Sequence, residues 1–372
     1  INLVHFTRQI PPGPVSPRWK PCVFWIEKPV PLEYRNAMRD GILEWNKAVE
    51  NAGFTEAIQV KQMPDNAKWD PADVRYNTIR WSSSFEPEFA GLGPSRTNPL
   101  TGEILDADIL LDANIVRQIK QGYRSLVEQN RSVSKSFQER NGSNTNPCQF
   151  GMYSRYLNVL ENGDSKKGSG EKYQGGITDD LPTLVERYQE QKRSPLSQLL
   201  SSSDMCFGLE SSRQFAMGAM SMSLLENAAP SSTAIDNYVT QYIRFLTAHE
   251  VGHTLGLRHN FHGSTMLQPE DLNNISIARS KGLTASVMDY LPINLAPPGT
   301  VQGDYYPTIV GPYDDWAIEY GYKVIGGANP NSDLPALQQI ASRAGEPQLA
   351  YAPDEDIVDN LDPAANSFDL SG

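Results

Sequence analysis

His249-Glu250-Val251-Gly252-His253-Thr254-Leu255-Gly256-Leu257-Arg258-His259 is the stretch on which the reading of this chain turns. The chain holds five histidines, and four of them (His249, His253, His259 and His262) fall in this stretch or just after it. His249 and His253 have helical i,i+4 spacing, so one helix face carries both rings. Gly256 lets the chain leave the helix with positive φ at little steric cost. The turn then brings His259 back as a third nitrogen donor. Three neutral imidazoles leave one position open on a tetrahedral Zn2+, which suits a catalytic rather than a structural ion. Glu250, beside the first of them, is placed to reach a zinc-bound water. The plainer reading is an amphipathic core helix whose histidines bond to their neighbours. The number of residue types fixed together in this pattern weighs against it. His262 falls outside the pattern and reads as a loop residue or a support behind the ligands.

A second element follows. Ser286-Val287-Met288-Asp289-Tyr290 places Met288 29 positions after His259. Together the two stretches resemble the signature of the metzincin clan of zinc endopeptidases, His-Glu-x-x-His-x-x-Gly-x-x-His followed by a methionine turn. Arg258-His259-Asn260-Phe261, taken with residues 311–322, is similar to large secreted bacterial zinc-dependent metalloproteases. The resemblance implies that Met288 lies under the ligands as an apolar floor. It gives Tyr290 a contact with zinc or with the oxyanion of the reaction, although a buried structural tyrosine fits that position equally well.

The fold this implies is α+β, a zincin-like arrangement with a mixed twisted sheet and two long helices. A large insertion precedes the zinc helix, and the C-terminal subdomain is mostly helix and loop. The corresponding divisions are 1–116, an upper subdomain with sheet and first helix; 117–235, the insertion; 236–260, the zinc helix and its turn; and 261–372, with the methionine turn.

The residues outside the motifs read consistently with this. Residues 19–31 form an apolar strand closed off by prolines. Residues 32–52 form a long helix, with Tyr34, Met38, Ile42, Trp45 and Val49 recurring on one face. Ile58 and Val60 mark a short strand, and Tyr76–Ser82 another. Phe89–Arg96 is Gly-rich and extended, and Pro94 makes it an edge strand. Residues 104–112 form a strong strand, with Leu105, Ala107, Ile109 and Leu111 expected on one face. Residues 130–176 read as loop, and residues 180–225 contain helical stretches. The zinc helix runs over 236–256, capped near Ser232-Thr233, with Tyr238, Tyr242, Phe245 and Leu246 buried. A further helix opens after Gly311, and another lies near 334–344.

The 372 residues and 39% hydrophobic content suffice for a sizeable core. The net charge of −12 disfavours nucleic acid and anionic membrane surfaces, and no apolar run is long enough to span a membrane. The chain starts at Ile1 and closes on a polar stretch, so part of a longer precursor is expected. Cys148 and Cys206 flank a polar segment and would pair in an oxidising compartment; three separate thiols, counting Cys22, is the other reading. The expectation is a secreted or periplasmic zinc endopeptidase acting on protein or peptide substrates, with Glu250 activating the water. The alternatives are a non-catalytic zinc-stabilised binding domain and a zinc aminopeptidase. Keeping Glu250 argues against the first, and the third histidine against the second.

Overall fold

The computed structural model describes residues 3–4, 16–17, 21–83, 91–114, 116–117, 232–326, 329–358 and 364–365. The expected insertion therefore lies almost wholly outside the described residues. So do Cys148, Cys206 and the methionine-rich run at 215–222.

Short strands β1 (Leu3–Val4) and β2 (Ser16–Pro17) precede β3 (Cys22–Ile26), in which Cys22, Phe24 and Ile26 are buried and Val23 and Trp25 half-buried. Helices α1 (Leu32–Leu43) and α2 (Trp45–Asn51) lead to β4 (Phe54–Thr55), β5 (Ile58–Gln62) and β6 (Asn77–Ser82). Then come β7 (Gly91–Leu92), β8 (Ser95–Thr97) and the long β9 (Glu103–Asp112). The main sheet runs β5-β3-β6-β9 with every neighbour parallel. β7 and β8 pair with β9 antiparallel. Leu110 and Leu111 bond to β6 on one side and to β7 on the other, so β7 and β8 form the far edge. The sheet is thus mixed and the class α+β, as expected.

Two expectations need correction. Leu105 does not share the buried face of Ala107, Ile109 and Leu111: it is half exposed, while Ile104 is buried. The register against β8 shifts between Arg96 and Thr97, and this irregularity flips the in-out alternation of β9 around 105–106. The helix expected over 32–52 is interrupted at Glu44. The backbone there stays right-handed (φ −57°, ψ −34°) and the Glu44 N–H still donates to the Asp40 carbonyl at 3.1 Å, so no loop forms. The predicted face Tyr34, Met38, Ile42, Trp45 and Val49 is buried throughout.

Helix α3 (Ser232–Thr254) carries the first two histidines. It starts four residues before the expected 236, inside the range assigned to the insertion. Ser232 is already helical, so it is not the cap. Tyr238, Tyr242, Phe245 and Leu246 are buried as expected. Gly41 is where α1 meets α3, because a Cβ there would strike the Arg244 carbonyl oxygen. Next to that crossing, the Trp45 indole N–H donates to the Ala248 carbonyl at 2.9 Å.

The C-terminal part contributes α4 (Ile275–Lys281), α5 (Pro312–Tyr322), α6 (Pro330–Ala341) and α7 (Asp354–Val358). α6 begins before the expected 334, because the Asn329 side chain accepts from Asn331 and Ser332 N–H with Pro330 at the first helical position. One hydrophobic core joins the sheet to the C-terminal part, with Phe24, Trp45, Ile109, Tyr242, Met288 and Ile318 all in it. Among the described residues, no helix is long and apolar enough to cross a membrane.

Candidate metal centre

His249 and His253 stand one turn apart on α3, their ring centroids 4.9 Å apart. The helix then stops in a Schellman arrangement. Leu257 N–H donates to the Gly252 carbonyl at 3.1 Å and Gly256 N–H to the His253 carbonyl at 2.9 Å. Gly256 has φ 88°, the positive value expected from the sequence. The Tyr322 hydroxyl donates to the Leu255 carbonyl at 2.7 Å and so satisfies another acceptor at the helix end. The exit turn brings His259 within 4.7 Å, centroid to centroid, of His253 and 5.3 Å of His249.

Each ring is held from behind by its Nδ1. His249 Nδ1 lies 2.7 Å from the Val287 carbonyl, and His253 Nδ1 lies 3.0 Å from the Leu257 carbonyl. His259 Nδ1 lies 2.7 Å from Asp354 Oδ1. A carbonyl or an ionised carboxylate only accepts, so all three Nδ1 atoms carry the proton and all three Nε2 atoms present a lone pair. The Nε2 atoms of His253 and His259 face each other at 3.1 Å. Two lone pairs at that distance repel unless a cation lies between them. Two nitrogens bound to one tetrahedral zinc at about 2.0–2.1 Å stand about 3.3 Å apart. One ligand atom from each of the three rings lies within 4.8 Å of the others. The donor set therefore fits the ion. Burial, with His253 and His259 adding to it, holds the His249 pKa well below the usual imidazole value and keeps the ring neutral.

The methionine turn lies beneath this triad. Met288 is fully buried against Gly252, where a Cβ would strike the Met288 sulfur and come within 2.9 Å of Trp45. The turn is fixed by Asp314 of α5, whose carboxylate accepts from Ser286 Oγ at 2.6 Å, Val287 N–H at 2.8 Å and Gly311 N–H at 2.9 Å. Asn260 N–H donates to the Met288 carbonyl at 3.0 Å, which ties the turn to the third ligand's loop. The Tyr290 hydroxyl lies 2.8 Å from His259 Nε2, at the ligand atoms themselves.

Glu250 is 2% exposed and lies against the edge strand. A Cβ on Gly91 would come within 2.5 Å of Glu250 Oε1, and one on Gly93 within 2.6 Å of the Glu250 carbonyl oxygen. These two glycines let β7 and the chain after it rest directly on the histidine helix.

The structure thus gathers His249, His253, His259 and Tyr290, sets Glu250 on the same helix against the edge strand, and leaves His262 outside the triad. Sequence reasoning missed four contributors: Asp354, Asp314, the Gly91/Gly93 pair and Trp45. Asp314 had a local signal, since an Asp at the third helical position after Gly311-Pro312 is placed to accept the Gly311 N–H. Asp354, in an acidic run far along the chain, had none.

Residues 231–372 match the model of a family described as Met-zincin. Searches of curated proteins and of solved structures gave no match. The family match and the histidine triad agree on the ion: the centre is one for Zn2+.

Proposed function

We propose that this chain, a Met-zincin over residues 231–372, is a zinc-dependent endopeptidase. Held by His249, His253 and His259, a Zn2+ would supply a Lewis acid and would make a water acidic enough to act near neutrality. Glu250 takes the proton of the attacking water and passes it to the leaving amine. The observation that carries this reading is the place of its carboxylate, buried against the edge strand at Gly91 from the helix that carries the first two histidines. A zinc held only for stability needs no acid there and favours a fourth protein ligand. The Tyr290 hydroxyl, 2.8 Å from His259 Nε2, donates a hydrogen bond to the oxygen that gains charge as the carbonyl becomes tetrahedral.

The substrate lies extended along β7 and β8. Their pairing with β9 uses one edge, and among the described residues no strand pairs with the other. Main-chain hydrogen bonding there holds a peptide without needing particular side chains. A peptide held along its middle is cut internally, which favours endopeptidase action. The mature protein, in this reading, works outside the cytoplasm; recovery from the cytosol alone would count against that.

The test is digestion of an unfolded protein and a peptide library by zinc-loaded protein, with a chelator control. Internal cleavage that is abolished by chelation supports the proposal. Trimming from one end only identifies an aminopeptidase. Zinc binding without any cleavage identifies a binding domain.

A further inference from the structure

We infer that Asp354 is the positioning residue for the third zinc ligand: residues 350–355 form a clip around that ligand, and the Asp354 carboxylate is the part of it on which metal affinity depends. The first two histidines have their directions set by α3 and by nearby carbonyls. His259 has no helix beneath it, since it lies five residues past the end of α3 at Thr254. Its ring is aimed by Asp354, 95 residues away in sequence, at 2.7 Å.

The clip holds the residues around that ring one by one. Arg258 Nη2 donates to Glu355 Oε2 at 2.7 Å and to Asp354 Oδ2 at 3.3 Å. Asn260 Nδ2 donates to the Ala350 carbonyl at 3.0 Å, and Asn260 Oδ1 accepts from Ala352 N–H at 3.1 Å. Phe261 N–H donates to the Ala352 carbonyl at 2.9 Å. Four consecutive residues, Arg258 to Phe261, are thus bonded to one short segment of the C-terminal part.

The chemistry of the Asp354 contact differs from that of the other two. A carboxylate accepts a stronger hydrogen bond from Nδ1–H than a carbonyl does. It fixes the proton on Nδ1, aims the Nε2 lone pair and makes that nitrogen a better donor to the ion. The turn carrying His259 lacks the rigidity of a helix, and this carboxylate compensates for it. The inference rests on the zinc centre and not on peptidase action, so an inactive protein would leave it open to test.

The experiment measures zinc affinity of the full chain by competition with a chromophoric chelator, together with the visible spectrum of the cobalt(II) form. Asp354→Asn should bind zinc ten- to a hundredfold more weakly, shift the cobalt spectrum and keep the melting temperature of the metal-free protein. Glu355→Gln, whose side chain bonds only Arg258 among the described residues, should stay within about threefold of wild type, as expected for an exposed ion pair. Wild-type affinity with an unchanged cobalt spectrum in Asp354→Asn overturns the inference. So does a loss of affinity as large in Glu355→Gln. If Asp354→Asn does not fold, the histidine 15N spectrum of the wild-type zinc form decides instead. A proton on Nδ1 of His259, shifted downfield by the carboxylate, supports the role, and a proton on Nε2 overturns it.

Discussion

The Met288 side chain lies directly against Gly252, the residue before the second histidine of α3. Gly252 sits in the helix interior, where alanine would ordinarily stabilise by about 0.5–1 kcal/mol. Here a Cβ would strike the Met288 sulfur and press on Trp45, and both side chains are fully buried. Overpacking of that kind costs about 1–3 kcal/mol, so the packing penalty exceeds the helical gain. Gly252→Ala is therefore expected to lower stability and to weaken zinc binding by displacing the floor under the ligands. Thermal melting with and without zinc checks it; a more stable variant with unchanged zinc affinity would contradict the contact.

Glu250→Ala should keep zinc and fold yet lose about a hundredfold or more in turnover, the usual scale for a missing general base. Tyr290→Phe should cost less, roughly tenfold, if the hydroxyl serves the oxyanion. Steady-state kinetics on one internally quenched peptide compares the two. Wild-type turnover in the first variant would place the base elsewhere, and in the second would make Tyr290 structural.

Gly91→Ala tests the contact between the edge strand and the acid. The added methyl would come within 2.5 Å of Glu250 Oε1, so either the carboxylate or β7 must move. A displaced base lowers kcat, and we expect about tenfold, the low end of general acid–base contributions being about a hundredfold. Zinc affinity should stay put, because the atoms nearest the added methyl belong to Glu250 and not to a histidine of the triad. Equal kcat in variant and wild type would show that the strand yields freely.

Two buried groups give the metal-free protein opposing pH dependences. Burial holds the His249 pKa well below 6.5 in the folded state. The unfolded chain takes up a proton there first, so the stability His249 contributes is present above about 6.5 and is lost as pH falls. Burial pushes the Asp314 pKa up to about 7, from 3.8, against the pull of its three donors. The folded state then holds a proton that the unfolded chain has released. That contribution is full below about 4 and is lost as pH rises through about 7. Melting temperatures of variants separate the two. The advantage of wild type over His249→Asn should shrink from pH 8 to pH 5, and its advantage over Asp314→Asn should grow. Gaps that stay constant with pH would refute both assignments.

The ligand set was legible in the sequence because its geometry is local. An i,i+4 pair on a helix faces one way whatever surrounds it, and a glycine three residues after His253 allows the positive-φ exit that returns His259. The apolar faces of α1 and α3 were legible for the same reason, as was the mixed sheet in outline. Packing between distant segments decided the rest. Nothing near Asp354 marks it as the partner of a histidine 95 residues earlier, since a lone acidic residue in an acidic run carries no periodic signal. The alternation of β9 looks uniform in sequence, yet Leu105 faces out because the register against β8 shifts beside it. Gly91 and Gly93 read only as part of a Gly-rich edge strand until that strand is seen resting on Glu250. Local backbone geometry named the residues that would hold the ion; only the folded core determined which ring nitrogen each presents, what aims it, what lies beneath and what covers the acid.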